Sequence, residues 1–214
     1  MQLRVVCVMR LKDEEKKIKR CLDAMPFVDR FIVVLNDSTD RTENIVSQYP
    51  STILHTEGLD ASRDLNLAYA EARRLEAEWV LFVDGDEEFE NKAKDHLHEL
   101  LLPGPINGWI MRIYPFVLSK EFWRVDRDWA QFTMKGQLRL FRVQDGIYWS
   151  DPRPTHPGLP QGLKGAIRPS DLRIKHYTIE TQEELERKLA FYARDTSTAH
   201  FRNDENAVFK RWIE

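Results

Sequence analysis

The chain has 214 residues, enough for one sizeable core or two tightly joined halves. It is 42% hydrophobic and 31% charged, with six Trp and eleven Phe, the composition of a soluble globular protein. Its net charge of −3 excludes the global basic field of a nucleic-acid binder, and no stretch approaches the ~20 apolar residues of a membrane-spanning helix. The N-terminus carries no charged segment followed by an apolar one and a cleavage site, so no signal peptide is expected and the expected location is cytoplasmic.

In chain order, the first hundred residues alternate between strand and helix patterns. LRVVCVM (3–9) predicts a short strand. Residues 13–25 then place Ile18, Cys21, Leu22 and Met25 at the i, i+3, i+4, i+7 spacing of a helical stripe, with Lys16–Arg20 on its wet face. RFIVVL (30–35) predicts a second buried strand. NDSTDRTENIV turns into a helix in which Asp40 is the expected cap and Glu43 completes a capping box. STILHT (51–56) reads as a third strand, and residues 62–77 carry Leu65, Ala68, Tyr69, Ala72 and Leu75 on one helical face. EWVLFVD is the most apolar strand of the four. Cys7 and Cys21 sit on apolar positions and read as buried, reduced thiols.

This β-α-β-α-β-α-β order, with strands apolar on both faces, predicts a parallel sheet covered by helices. Ligands of such sheets bind at the carboxyl ends of the strands. Arg10 to Glu14, Asn36 to Asp40 and Asp84 to Glu88 all fall at those ends. The pattern changes after LLPGPING (101–108): WIMRIYPFVL and GQLRLFRV are strand-like, 150–173 is a Pro- and Gly-rich loop pattern, and Thr181-x-x-Glu184 opens a helix carrying Leu185, Leu189 and Tyr192.

The sharpest feature is Asp84-Gly85-Asp86-Glu87-Glu88 at the end of the fourth strand. Carboxylates at this density repel unless something positive sits among them. A charged turn is one reading. A calcium loop is another, but it needs Gly at its sixth position, where this chain has Phe89. An aspartyl-phosphate phosphatase also puts D-x-D after a buried strand, yet on an early strand and before a small hydroxyl residue, where Glu88 stands here. The fourth reading is a divalent-metal site for a nucleotide diphosphate: two carboxylates at i, i+2 turn to one hard cation, and Gly85 frees the backbone between them. Glu87 and Glu88 then divide between steadying the site and beginning the next helix.

The ordered segments RLKDEEKKIKRCL, VVLNDSTDRTENIV, ASRDLNLAYAEA and EWVLFVDGDEEF resemble the family 2 glycosyltransferases of the GT-A fold. The similarity covers residues 3–90 and continues more thinly through RLFRVQDGIYW and IKHYTIETQEELERKLAFYARD. It implies an α/β GT-A chain: a Rossmann-like nucleotide-binding half with a central, mostly parallel sheet (1–103), a mixed acceptor-side half (104–180) and a C-terminal helical segment (181–214).

The resemblance also implies roles. Asp84 and Asp86 hold Mn²⁺ or Mg²⁺ and the donor sugar, with His176 as third metal ligand and His156, followed here by Pro157, as its rival. Arg10, Asn36 and Asp37 lie against the nucleoside; the family commonly places Asp directly after the second strand, where this chain has Leu35, so Asn36 or Asp37 substitutes. Arg63, next to Asp64, faces the nucleotide with its planar fork. The base that takes the acceptor proton is Asp151, Asp128 or Asp126, among the aromatics Trp123, Trp129, Tyr148 and Trp149.

The expected activity is metal-dependent, inverting transfer of a sugar from a nucleotide-sugar, a UDP-sugar by resemblance, to an acceptor hydroxyl or related nucleophile. The acceptor stays open among glycan, lipid-linked sugar, peptide and modified nucleic acid, and the oligomeric state is not legible. Two alternatives remain. A nucleotidyltransferase needs a Gly-rich loop after the first strand, and MRLKDEE has no Gly there. A non-catalytic nucleotide-binding module would not depend on Asp86.

Overall fold

A computed structural model describes residues 4–125, 134–153, 158–192 and 209–213, with side chains of the last helix described to residue 187. The parallel block comes first. Strand β1 (Val5–Leu11) lies between β2 (Arg30–Asn36) and β4 (Trp79–Phe82), and β3 (Ser51–Thr56) extends the block beyond β2. All three pairings are parallel, and β1 is buried over nearly its whole length.

Alternation along β1 explains the two layers. Val5, Cys7, Met9 and Leu11 face one side, where α1 (Ile18–Asp23) lays Ile18, Cys21 and Leu22 against them. Val6 and Val8 face the other, under Leu65, Ala68, Tyr69 and Ala72 of α3 (Ala61–Arg74). Each such aliphatic side chain removed from water contributes about 1.5–3 kcal/mol. Helix α2 (Thr42–Val46) covers the first side beside α1.

Two expectations of the first half need correction. The stripe predicted over 13–25 forms helix only from Ile18; Asp13 takes a left-handed φ of 53°, which an Asp tolerates. Its carboxylate accepts the backbone N–H groups of Thr39 and Asp40, and the Glu14 and Glu15 amides donate to Thr42 Oγ1 and Asp40 Oδ2. The loops after β1 and β2 are thus zipped together. The predicted capping box at Asp40 is not the one formed: Asp40 accepts from Thr42 N, Asp40's own amide goes to Asp13, and the Glu43 carboxylate faces His55.

Beyond β4 the sheet becomes mixed. Strand β8 (Gln137–Arg142) pairs antiparallel with β4, and β6 (Ile106–Val117) pairs antiparallel with β8 and parallel with β9 (Ala166–Ile179). The loop pattern read over 150–173 therefore ends early: β9 starts at Ala166 despite Pro169. Short β7 (Phe122–Arg124) and β10 (Phe209–Arg211) finish that edge. Glu87 and Glu88 begin no helix. They form β5 (Glu87–Phe89), antiparallel to β9, and α4 (Ala93–Leu100) begins only later. Helix α5 (Gln182–Tyr192) follows β9, with Thr181 Oγ1 accepting from Glu184 N as its sequence predicted. Leu185 of its expected stripe is buried, while the side chains of Leu189 and Tyr192 lie outside the described residues. Lys17, itself buried, ties this region to α1 by donating to Tyr177 O and Glu184.

Candidate functional site

Because β1 has β2 on one side and β4 on the other, chain order reverses between β1 and β4. A crevice opens at the carboxyl ends of strands flanking such a switch point. Two groups of side chains stand there.

The first group hangs on Asp64, a fully buried carboxylate in the opening turn of α3. Arg10 Nε donates to its Oδ2 at 2.8 Å, and Arg63 donates to its Oδ1 at 2.8 Å through Nη2. Arg10 also reaches Asn36 Oδ1 at 3.5 Å, and buried Asn36 donates to Thr56 Oγ1 and Gly58 O. Asp37, at a left-handed φ of 48°, accepts from Gly58 N. Arg10, Asn36, Asp37 and Arg63 therefore share one network. Two guanidiniums thus share one buried carboxylate, and Arg63 also feels the charges of Asp60 and Asp37. The sequence singled out Arg63 and took Asp64 only as its neighbour; a carboxylate on the same face as Ala61, Leu65 and Ala68 was the available signal.

The second group is the acidic loop. Its carboxylates each have a basic partner. Arg139 of β8 donates through Nη2 to Glu87 Oε1 at 2.5 Å and to Asp84 Oδ2 at 3.3 Å. Asp86 Oδ1 lies 3.1 Å from His176 Nε2. Glu88 sits between Arg20 at 3.4 Å and Lys175 at 3.7 Å, and Arg20 in turn stacks over the Tyr177 ring. The repulsion in the sequence is thus relieved by side chains from α1, β8 and β9. Arg139 was quoted in the RLFR strand but given no role; a charged residue between the apolar Leu138 and Leu140 was the signal.

Exposure separates the members. The Asp84 side chain is 45% exposed, Asp86 11%, and Glu87 0%. Burial pushes the Glu87 carboxyl up, to about 7, against the pull of Arg139. Burial alone would lower the His176 pKa, but the charge and hydrogen bond of Asp86 outweigh it and raise it above 6.5. Gly85 serves the loop by size: a Cβ there would stand 2.7 Å from Leu11 Cδ2 and 3.2 Å from Glu14 Cγ. The Cys21 thiol contacts Asp84 O from beneath, and both cysteines are free and buried, as expected.

Asp86 and His176 converge; Asp84 turns to Arg139. Among the described residues no group of three His, Cys, Asp or Glu side chains stands where it could hold a metal ion. The Asp86 carboxylate and the His176 ring nitrogen are a partial donor set, which a divalent ion would complete with water and phosphate oxygens. Asp126, Asp128 and His156 lie outside the described residues.

Asp151 lines a cleft of about 560 Å³ with Asp60, Ser62, Arg63 and Asn66 of the α3 opening. Asn66 and Trp149 exchange two hydrogen bonds, and Ser62 Oγ donates to Asp151 O at 2.8 Å, so α3 fixes this segment beside Arg63. Arg153 holds both Asp151 oxygens, at 2.9 and 2.7 Å. Of the aromatics interleaved with the candidate bases, Trp149 packs in the core on Tyr69 and Phe141, and Trp123 packs edge-on against Tyr114. Tyr148 is exposed, and Trp129 lies outside the described residues.

An open sheet with helices on both faces and a charged crevice at its switch point defines an α/β domain of the Rossmann-like class. Residues 6–154 match the family model described as "Glycosyl transferase family 2", well over half of the chain, and the chain belongs to that family. A TPR repeat-containing protein of Synechococcus elongatus is 32% identical over 148 residues, covering 67% of this chain and 33% of that protein. The structure of S. aureus TarS 1–349 in complex with UDP-GlcNAc superposes with a TM-score of 0.53 at 18% identity, over 69% of this chain and 49% of that one. A further TarS structure gives a TM-score of 0.58 at 15% identity, over 90% of this chain and 40% of that one. The fold is GT-A, and the chain carries a glycosyltransferase domain. It spans less than half the length of each of these proteins. No helix among the described residues is long and apolar enough to cross a membrane.

Proposed function

We propose that this domain catalyses metal-dependent, inverting transfer of a sugar from a UDP-sugar to an acceptor nucleophile. The observation that carries the reading is the 3.1 Å approach of Asp86 to His176 beside Asp84, at the end of the strand next to β1. Asp86 and the neutral ring of His176 would hold Mg²⁺ or Mn²⁺, with Asp84 offering its Oδ1 while its Oδ2 stays on Arg139. The bound ion supplies Lewis acidity toward the departing nucleoside diphosphate.

The remaining work falls to the chain itself. Arg10 and Arg63, oriented by Asp64, offer positive charge to the diphosphate or base edge. Asn36 and Asp37 border the nucleoside. Asp151, in the cleft beside Arg63, would accept the acceptor's proton, which requires Arg153 to release at least one of its oxygens. Residues 1–103 form the donor half, 104–180 the acceptor side and 181–214 a C-terminal segment. The complex of TarS with UDP-GlcNAc supports a UDP-sugar donor. The acceptor is a glycan, lipid-linked sugar, peptide or modified nucleic acid.

Thermal unfolding with a panel of nucleotide-sugars, with and without Mn²⁺ or Mg²⁺, tests this. Binding at ~100 times Kd stabilises by about 2.7 kcal/mol. The expected result is a shift from a UDP-sugar that needs the metal and disappears in Asp86→Ala. No shift with any nucleotide would count against catalysis, and a shift untouched by Asp86→Ala would favour a non-catalytic module.

A further inference from the structure

Arg139 occupies a position that an aliphatic residue would fill at lower cost. It lies in β8 between buried Leu138 and Leu140, its side chain is 2% exposed, and its Nε has no hydrogen-bond partner. Burying a guanidinium costs several kcal/mol, which an ion pair recovers only with good geometry, so pairing alone is a weak reason to keep it there.

Its contacts point elsewhere. All three polar contacts go to one segment, the exit of β4: Nη1 to Phe82 O at 3.3 Å, Nη2 to Asp84 Oδ2 at 3.3 Å and to Glu87 Oε1 at 2.5 Å. Glu87 closes the ring by accepting from Asp84 N at 3.0 Å. One planar fork therefore sets the backbone before the loop, its most exposed carboxylate and its buried one. A lysine, a point charge without the fork, cannot hold all three at once.

We infer that Arg139 is a positioning residue for the acidic loop, fixing the exit of β4, the Asp84 carboxylate and Glu87 before any donor arrives. The inference rests on the metal reading above. Partners that orient ligands without touching the ion change metal affinity by about 10- to 100-fold when removed.

The test is Mn²⁺ titration followed by electron paramagnetic resonance, with and without UDP, on wild type, Arg139→Lys and the charge-neutral double variant Glu87→Gln/Arg139→Met. The double variant preserves net charge and nearly preserves volume, so unfolding temperature stays close to wild type while the Mn²⁺–UDP dissociation constant rises about 10- to 100-fold. Arg139→Lys keeps the fold and gives an intermediate loss. Mn²⁺ affinity equal to wild type in the folded double variant would overturn the inference and make Arg139 a core ion pair only. If the double variant does not fold, wild-type affinity in Arg139→Lys overturns it instead. Absence of a Mn²⁺ signal in wild type would remove the metal reading itself, and this inference with it.

Discussion

Glu87 stands directly opposite His176 in the antiparallel register of β5 and β9, and the Tyr177 amide donates to Asp86 O at 2.9 Å. Three residues of strand thus bring the β9 imidazole to the acidic loop and hold its Nε2 at 3.1 Å from Asp86.

That contact sets a pH dependence. The folded-state pKa of His176 is raised, so the pair contributes stability that is fully present below the unfolded value of about 6.5 and is lost as pH rises through the folded value. Glu87, raised by burial to about 7, acts in the same direction. In metal-free buffer the unfolding-temperature difference between wild type and Asp86→Asn is expected to be largest at mildly acidic pH and to narrow as pH rises. A difference independent of pH would show that the pair is not an ion pair.

Gly85→Ala should damage the site through packing. The new Cβ meets Leu11, which is 1% exposed and locked in the core, so the loop must move rather than the leucine. Such overpacking costs about 1–3 kcal/mol. Calorimetry is expected to show that loss together with weaker metal-dependent donor stabilisation; an unchanged donor response would place the displacement away from Asp84 and Asp86.

How much of this was legible follows from where each signal lives. Strands β1, β2 and β4 and the α3 face announce themselves because both layers of the core are written into their own periodicity. Strand β5 does not: Glu-Glu-Phe becomes strand only because β9 supplies its partner. The helix start expected at 13 fails because Asp13 spends its carboxylate on the neighbouring loop. Asp84, Asp86 and His176 stand out in sequence by chemistry, whereas Asp64 and Arg139 matter through burial and pairing, which one chain read linearly does not display.

Asp64→Asn is the sharper test of the arginine pair. The change keeps shape and removes the counter-charge of Arg10 and Arg63. A hydrogen bond to a charged group contributes about 1.5–3 kcal/mol, and the expected loss of stability comes from the half-buried Arg10 rather than the exposed Arg63. UDP binding by calorimetry should weaken as the two guanidiniums lose their orientation. Tighter UDP binding would mean that net charge outweighs orientation in this crevice.

Asp151 carries the last prediction. A general base contributes about 10²–10⁴ in rate and little in ground-state binding, so Asp151→Asn should lower kcat by that range and leave the donor KM unchanged. Arg153→Ala separates two roles for the neighbouring guanidinium, which now holds both Asp151 oxygens. If Arg153 blocks the base, its removal raises kcat at a given pH; if it aims the base, removal lowers kcat without touching KM. Asp126→Asn and Asp128→Asn, measured in the same assay, are expected to keep kcat within a few-fold of wild type. A loss of 10² or more in either of them, with Asp151→Asn active, would move the base off the α3-anchored segment.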